Sequence, residues 1–589
     1  MMKNAPNING LWASLIVEEL ARNGAHRFVI SPGSRSAPLA LAVAQHPDAI
    51  PHIHFDERGA AFFALGQAKA TQQPVVLVCT SGTAVANYMP AIVEANRARV
   101  PLIALTADRP PELLDTGANQ TIDQANLFGS HVRWQHTLPC PDTHVPPETA
   151  LTAIDQAVYR AIRAPRGPVH INCMLREPLA PVAEPFDQEA YLASLEPWLN
   201  QKSPYTSYSQ SDSRPPRLDE NLNALLAEAK RPLLVVGQVH SQAEIHAAEA
   251  VAKHLGWPVL PDIASGLRLG STLPNAIHYY DRLLTTNMAD EFAVADVVLH
   301  IGGSIVSKNL LTLLAQRTSG TYMRVADHPY RDDPAHRVTH RIESSVESFA
   351  TALEKSATPP ANRSLDGKWI ATLQAASVVM QESIESFDTG NAINEIGVVR
   401  SASAAAPEAA VFYLGNSRPI RDADSYAPHP GNQIIVAANR GASGIDGNIA
   451  TIAGYAHALA KPILAVIGDL AALHDLNSLA LLESCETPVV LVIVNNNGGG
   501  IFSMLPIGEF PDHFERCFGT PHGLTFESAV SQFNLNYLQP GTSPECAEAI
   551  NAALKVQDTT IIEAVTDRND NAALHRQIDA HIADAFKKA

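Results

Sequence analysis

Short, unbroken apolar runs alternate along this chain with longer stretches whose apolar residues recur every three or four positions. Pro74–Cys79 and Val100–Thr106 are runs of the first kind, His26–Ile30 reads as a further strand, and helical stretches begin near Glu57, Thr83 and Thr149. Continuous apolar runs of this length are expected of parallel strands covered on both faces. The pattern returns at Leu233–Val236, Val259–Pro261, Val297–Ile301 and Tyr322–Val325. It returns again at Val411–Leu414, Gln433–Ala437, Pro462–Ile467 and Val489–Val494. It predicts an α/β protein of three doubly wound, mostly parallel-sheet domains. Between them the periodicity fades. Pro178, Pro181, Pro185, Pro197, Pro204, Pro215 and Pro216 sit among Ser, Gln and Asp, and a second polar stretch covers about Glu354–Lys368. The expected organisation is domains at 1–185, 221–355 and 391–589, with linkers at 186–220 and 356–390.

Composition narrows the function classes. The 589 residues carry 42 Lys and Arg against 60 Asp and Glu, a formal charge of −18, which argues against a broad nucleic-acid face. No apolar run approaches the ~20 residues that span a bilayer. The first thirty residues lack a basic start and an apolar core, so no signal peptide is expected. Six cysteines, each at least 29 residues from the next, offer neither a CxxC zinc pair nor a disulfide framework. The expectation is a cytoplasmic protein.

The most specific chemistry lies in the third block. The strand Lys461–Ile467 ends in Gly468-Asp469-Leu470, and a helix with Leu473, Leu476, Leu479 and Leu482 is expected next. The strand Val489–Val494 then ends in Asn495-Asn496-Asn497-Gly498-Gly499-Gly500. A βαβ crossover returns the chain in the same direction, so Asp469 and Asn496 reach the carboxyl edge of neighbouring strands, where ligands of open α/β sheets bind. A carboxylate, an amide oxygen and a backbone carbonyl are hard ligands suited to Mg²⁺ bridging to phosphates. Taken singly, Asp469 reads more readily as a helix cap and the Asn/Gly cluster as a turn. Their 27-residue separation, with a strand before each, favours the metal reading.

This spacing resembles the signature of thiamine-diphosphate enzymes, although Leu470 stands where that family often has glycine. Other motifs extend the likeness. Ser31-Pro32-Gly33-Ser34-Arg35-Ser36, Phe55-Asp56-Glu57-Arg58-Gly59, Thr80–Asn87, Thr106-Ala107-Asp108-Arg109-Pro110-Pro111 and Gly117-Ala118-Asn119-Gln120 occur in order. Asn439–Gly447 and Asn495–Gly499 with Ile501-Phe502-Ser503 follow. Together they resemble the 2-succinyl-5-enolpyruvyl-6-hydroxy-3-cyclohexene-1-carboxylate synthase family of menaquinone biosynthesis.

The resemblance implies a transferase that decarboxylates 2-oxoglutarate and adds the succinyl unit 1,4 to isochorismate, a carboligation on thiamine diphosphate. It implies a pyrimidine-binding first domain and a diphosphate-binding third domain. Glu57 would be the catalytic carboxylate at the pyrimidine. Asp469, Asn496 and the Gly498 carbonyl would hold Mg²⁺ (or Mn²⁺), with Gly444, Ile445, Gly468 and Ile501 also lining the cofactor. Ser34, Arg35, Arg109, Gln120, Lys308, Asn416, Ser417, Arg421, Arg440, Phe502 and Leu505 would meet the substrates. It also implies a homodimer or dimer of dimers with active sites shared between subunits. The arginines fit this independently, because both substrates are dicarboxylates and a guanidinium fork accepts a carboxylate in bidentate fashion.

Three other functions share parts of this pattern. An acetohydroxyacid-synthase-like carboligase or decarboxylase is the nearest. A dinucleotide-dependent oxidoreductase would need a Gly-x-Gly-x-x-Gly turn, which Val236-Gly237-Gln238 and Ile301-Gly302-Gly303-Ser304 do not continue. A non-catalytic binding protein would require neither Glu57 nor the Asp469/Asn496 pair.

Overall fold

The buried apolar runs form the central strands, and with shorter, partly exposed edge strands they assemble into three all-parallel sheets. The structure, a computed structural model, describes residues 5–209, 218–356, 365–432 and 434–588. The first sheet comprises β1 (Arg27–Ile30), β2 (Ile50–Ile53), β3 (Val75–Cys79), β4 (Leu102–Asp108), β5 (Gln135–Leu138) and β6 (Val169–Met174). The second comprises β7 (Leu233–Val236), β8 (Val259–Pro261), β9 (Val297–Ile301), β10 (Thr321–Ala326) and β11 (His340–Glu343). The third comprises β12 (Val411–Leu414), β13 (Ile435–Ala437), β14 (Ile463–Gly468), β15 (Val489–Asn495), β16 (Asn536–Leu538) and β17 (Thr560–Val565).

The first and third sheets repeat one topology. Their orders are β2-β1-β3-β4-β6-β5 and β13-β12-β14-β15-β17-β16, and the middle sheet runs β11-β10-β9-β7-β8. In each, the chain steps to one side of the first strand and then crosses to the other. That reversal opens a crevice beyond the strands' carboxyl ends, between β1 and β3 and between β12 and β14.

The chain divides into two compact units. One comprises Met1–Gln210, Asn439–Leu459 and Asp475–Ser484, and the other Ser211–Ala438, Ala460–His474 and Cys485–Ala589. In the first, the helix Glu57–Thr71 crosses the helix Asn448–Leu459 at glycines. A Cβ on Gly66 would stand 2.2 Å from the Thr451 carbonyl oxygen, and one on Gly454 2.2 Å from that of Phe63. Only residues without a side chain let the backbones approach this closely. In the second, the middle and third sheets share core: Ile263, Leu269 and Val306 pack with Phe412, Ile420 and Val466. The fully buried Arg268 donates to the Asp424 and Ala427 carbonyls across the same seam.

Three local readings change. Part of the Pro-rich stretch is folded, with helical turns at Gln188–Leu192, Ala193–Leu195 and Glu196–Leu199 that bury Leu192, Leu195 and Trp198 against Leu11 and Leu15. Those three residues are spaced by three, one helical face that the prolines and polar neighbours obscure. Likewise Gly367–Ser386 is a 20-residue helix burying Trp369, Leu373, Met380 and Ile384. Pro215, Pro216 and the middle of the second polar stretch, like Gln433 at the expected start of β13, lie outside the described residues. The expected helix after Asp469 breaks at Asp475, whose carboxylate accepts from the Ala450 amide at 2.9 Å and the Ser478 hydroxyl at 2.7 Å. A short side-chain acceptor that takes neighbouring donors competes with the helix ladder.

Candidate active site

At the carboxyl edge of the third sheet, Gly468 of β14 stands in register with Val494 of β15, so Asp469 and Asn496 leave adjacent strands side by side. Asp469 is 2% exposed. Its Oδ1 accepts from the Leu470 amide at 2.7 Å, and its Oδ2 from the Gly498 amide at 2.8 Å. His522 Nε2 is 3.1 Å from the same Oδ2. Because His522 Nδ1 accepts from the Leu524 amide at 3.0 Å, its proton belongs on Nε2, which donates to Asp469.

Asn496 is 8% exposed and donates from Nδ2 to Glu395 Oε1 at 2.8 Å. Its Oδ1 is buried and has no hydrogen-bond partner among the described residues. Buried polar oxygens without a partner are uncommon in native structures and call for an explanation such as an ion. Gly498 holds φ at +128°, and a Cβ there would come 1.9 Å from the Gly519 carbonyl oxygen. Its own carbonyl accepts from Gly500 at 3.0 Å and keeps a second lone pair. Among the described residues no group of three His, Cys, Asp or Glu is placed to hold a metal. The open amide oxygen, the carboxylate and the carbonyl are instead a set of hard donors that fits Mg²⁺. Behind them, burial pushes Glu395 up to about 7, with Asp422 adding to the shift and the Asn496 N–H opposing it.

In the same unit a cavity of about 190 Å³ is lined by Lys308, Asn309, Arg418, Arg421, Ser425 and His575, among others. Lys308 opens the helix Lys308–Gln316 and Arg421 belongs to the helix Arg418–Tyr426, which follows β12. Arg418 pairs with Asp422 and donates to His575 Nε2 at 3.0 Å. Burial, with Arg418 and Arg282 beside it, holds His575 down at about 2, so its ring is neutral. Ser417, at φ +72°, accepts on its carbonyl from Arg421 at 2.5 Å. Ile501, Phe502 and Met504 are half-buried and Leu505 is exposed, so this segment is an apolar surface rather than core.

The first unit presents a second cluster, at the ends of β1, β3 and β4. Arg35 is buried, donates to the Leu175 carbonyl at 2.9 Å and lies 3.4 Å from Glu177. Burial and the nearby Arg109 both lower its pKa. Arg109 holds the Asn119 carbonyl through Nε and Nη2, at 3.2 and 3.0 Å, and so fixes the Gly117–Gln120 loop. Gln120 then donates to the Ser81 carbonyl at 3.0 Å. Ser34 is exposed beside Arg35. Glu57 is half-buried at the first position of its helix, capped by Asp56, which accepts from the Arg58 amide at 3.0 Å.

Also in the first unit, the loop carrying Arg440, Gly444 and Ile445 is fastened by Glu94. Its carboxylate accepts from the Gly441 and Ala442 amides at 2.8 and 2.6 Å and pairs with the buried Lys69 at 3.3 Å. Lys69 in turn donates to Asn439 at 2.7 Å.

Residues 12–127 match the family model for the thiamine pyrophosphate enzyme N-terminal TPP binding domain, and 189–414 match the middle domain of thiamine pyrophosphate enzymes. The chain is 44% identical to the 2-succinyl-5-enolpyruvyl-6-hydroxy-3-cyclohexene-1-carboxylate synthase of Rubrobacter xylanophilus, over 98% of this chain and 99% of that one. It is 41% identical to the synthase of the same name from Salinibacter ruber, over 99% and 98% of the two chains. The Prosthecochloris aestuarii synthase is also 41% identical, over 99% of both. The chain belongs to this synthase family.

Its three parallel α/β sheets are those of a thiamine-diphosphate enzyme. For a synthase of this family, the expected residues fall into two groups. Ser34, Arg35, Glu57, Arg109, Gln120, Arg440, Gly444 and Ile445 belong to the first unit. Lys308, Asn416, Ser417, Arg421, Gly468, Asp469, Asn496, Gly498, Ile501, Phe502 and Leu505 belong to the second. Sequence reasoning missed Glu395, His522, Arg418 and His575. Glu395 reads as an ordinary first-turn acid and His522 as a lone loop histidine, and nothing in their local spacing marks either.

Proposed function

We propose that this chain condenses 2-oxoglutarate with isochorismate, releasing CO₂ and forming 2-succinyl-5-enolpyruvyl-6-hydroxy-3-cyclohexene-1-carboxylate for menaquinone biosynthesis. Full-length likeness to synthases of that name carries the reading and favours it over an acetohydroxyacid-synthase-like activity. In the overall reaction the C1–C2 bond of 2-oxoglutarate breaks. The electron pair it leaves makes the new carbon–carbon bond at the β carbon of isochorismate's conjugated carboxylate, and a proton is taken up at the α carbon.

Bound thiamine diphosphate supplies the carbon nucleophile and the electron sink; the protein supplies binding, orientation and electrostatics. Asp469, the open Asn496 Oδ1 and the Gly498 carbonyl would hold Mg²⁺ against the diphosphate. Glu57 would share a proton with N1′ of the pyrimidine, a task suited to a half-buried carboxyl. Arg35 and Arg109 are the donors proposed for substrate carboxylates, with Lys308 and Arg421 supplying positive charge at the second unit's cavity. In a chain of net charge −18, such cations must be concentrated locally to attract dianions.

The site is read as composite, built by two copies of the chain. Large apolar side chains are exposed beside its parts: Ile53 at 60% and Phe55 at 62% next to Glu57, and Leu505 and Leu524 near the Asp469 loop. Exposed apolar groups around functional residues favour burial by a partner. A homodimer, or a dimer of such dimers, fits. No helix among the described residues is long and apolar enough to cross a membrane, and a cytoplasmic location is part of the same reading. Donor and acceptor specificity tests the function. Turnover should require 2-oxoglutarate and isochorismate together, and equal turnover with pyruvate and a second 2-oxoacid would overturn the assignment.

A further inference from the structure

We propose that Glu395 is a positioning residue that aims the Asn496 amide oxygen at the metal. The proposal rests on the reading of Asn496 as a metal ligand. An asparagine amide has two faces of similar shape but opposite chemistry, and only its oxygen binds a cation. Nothing in the strand β15 chooses between them; the neighbour does. Glu395 is 3% exposed and meets the amide at 2.8 Å. Glu395 Oε1 takes Nδ2–H, which turns Oδ1 the other way, to the side where no described residue meets it.

The helix that carries Glu395 is firmly placed. Glu395 is the first residue of the helix Glu395–Ala405, whose N-cap Asn394 accepts from the Gly397 amide at 2.7 Å. Ile396, Val398, Val399 and Ala402 of that helix are buried. Glu395 therefore acts from a rigid element 101 residues away in sequence from the group it orients. An apolar residue would leave Nδ2 without an acceptor, and the amide would lose its preferred orientation. Groups that orient metal ligands in this way commonly change metal affinity ~10–100-fold when removed.

The test uses the full chain freed of metal and titrated with Mg²⁺ at fixed thiamine diphosphate, with cofactor binding read by calorimetry and tryptophan fluorescence. Glu395→Ala should raise the Mg²⁺ concentration for half-saturation by ~10–100-fold. Glu395→Gln, whose own amide oxygen can accept the same N–H, should recover much of that loss and guards against a variant that fails to fold. Asn496→Ala should also weaken Mg²⁺ binding, and adding Glu395→Ala to it should cost nothing more, because a positioning residue has nothing left to position. Wild-type Mg²⁺ dependence in both Glu395 variants, or a fully additive loss in the double variant, would overturn the proposal while leaving Asn496 a ligand. Unchanged Mg²⁺ dependence in Asn496→Ala alone would instead remove the metal reading, and this inference with it.

Discussion

Asp469 Oδ2 accepts the Gly498 amide at 2.8 Å, so the carboxylate after one strand ties down the glycine loop after its neighbour. The proposed ligand thus also shapes the carbonyl proposed to join it. Asp469→Ala should therefore weaken thiamine-diphosphate binding by at least about tenfold and make what remains nearly insensitive to Mg²⁺, since a hard anionic donor is gone. Calorimetric titration with and without Mg²⁺ checks this. Unchanged affinity would leave Asp469 a loop fastener only.

Glu57→Gln should fold and bind cofactor yet lose turnover by ~10²–10⁴-fold, the range typical of a lost general acid–base group. Combined with Asp469→Ala it probes the composite site. Each variant alone is expected to be inactive. Doubly tagged mixed dimers should recover about half of wild-type activity, because a two-fold dimer would then contain one intact site. Inactive mixed dimers would place each site within a single chain.

Arg35→Ala and Arg109→Ala should each lower kcat/KM by ~10–100-fold for at least one substrate, the effect of losing a charged hydrogen bond of roughly 1.5–3 kcal/mol. Cofactor affinity should hardly change. For Arg109 the loss includes freeing the Asn119 carbonyl, so Arg109→Lys, without the planar fork, should not restore full activity. Wild-type kinetics in both Ala variants would make these arginines bystanders.

His170 gives a pH dependence unrelated to catalysis. It is buried on β6 with Nε2 2.8 Å from Thr106 Oγ1, and burial lowers its pKa from 6.5 to about 4. Below 6.5 the unfolded chain takes up a proton that the folded chain refuses until about 4. Its stabilising contribution is complete above the unfolded value and is lost as pH falls toward the folded one, by at most ~1.4 kcal/mol per pH unit. His170→Gln should therefore lose less stability than wild type between about pH 7 and 4.5, as read from urea midpoints. Parallel losses would contradict the assignment.

The central strands were legible because parallel strands covered on both faces are written as unbroken apolar runs. β6 was not, because His170 and Asn172 interrupt its run; their side chains serve a buried network with Thr106, Gln124 and Asp108. Edge strands such as β5, β11 and β16 are short and partly exposed, so no run marks them. Asp469 and Asn496 could be found because each follows a recognisable strand and one crossover joins them. Glu395 and His522 could not: they reach the site from 101 and 53 residues away, through contacts that only the folded sheet creates.

Product analysis tests the central claim most directly. Purified protein, thiamine diphosphate, Mg²⁺, isochorismate and 2-oxoglutarate labelled at C1 would be combined, and the products separated and weighed by mass spectrometry. The expected product has the mass of isochorismate plus 2-oxoglutarate less CO₂, carries no label, and is accompanied by an equal amount of labelled CO₂. Labelled CO₂ released with isochorismate left unchanged, or a product formed from two 2-oxoacids, would contradict it.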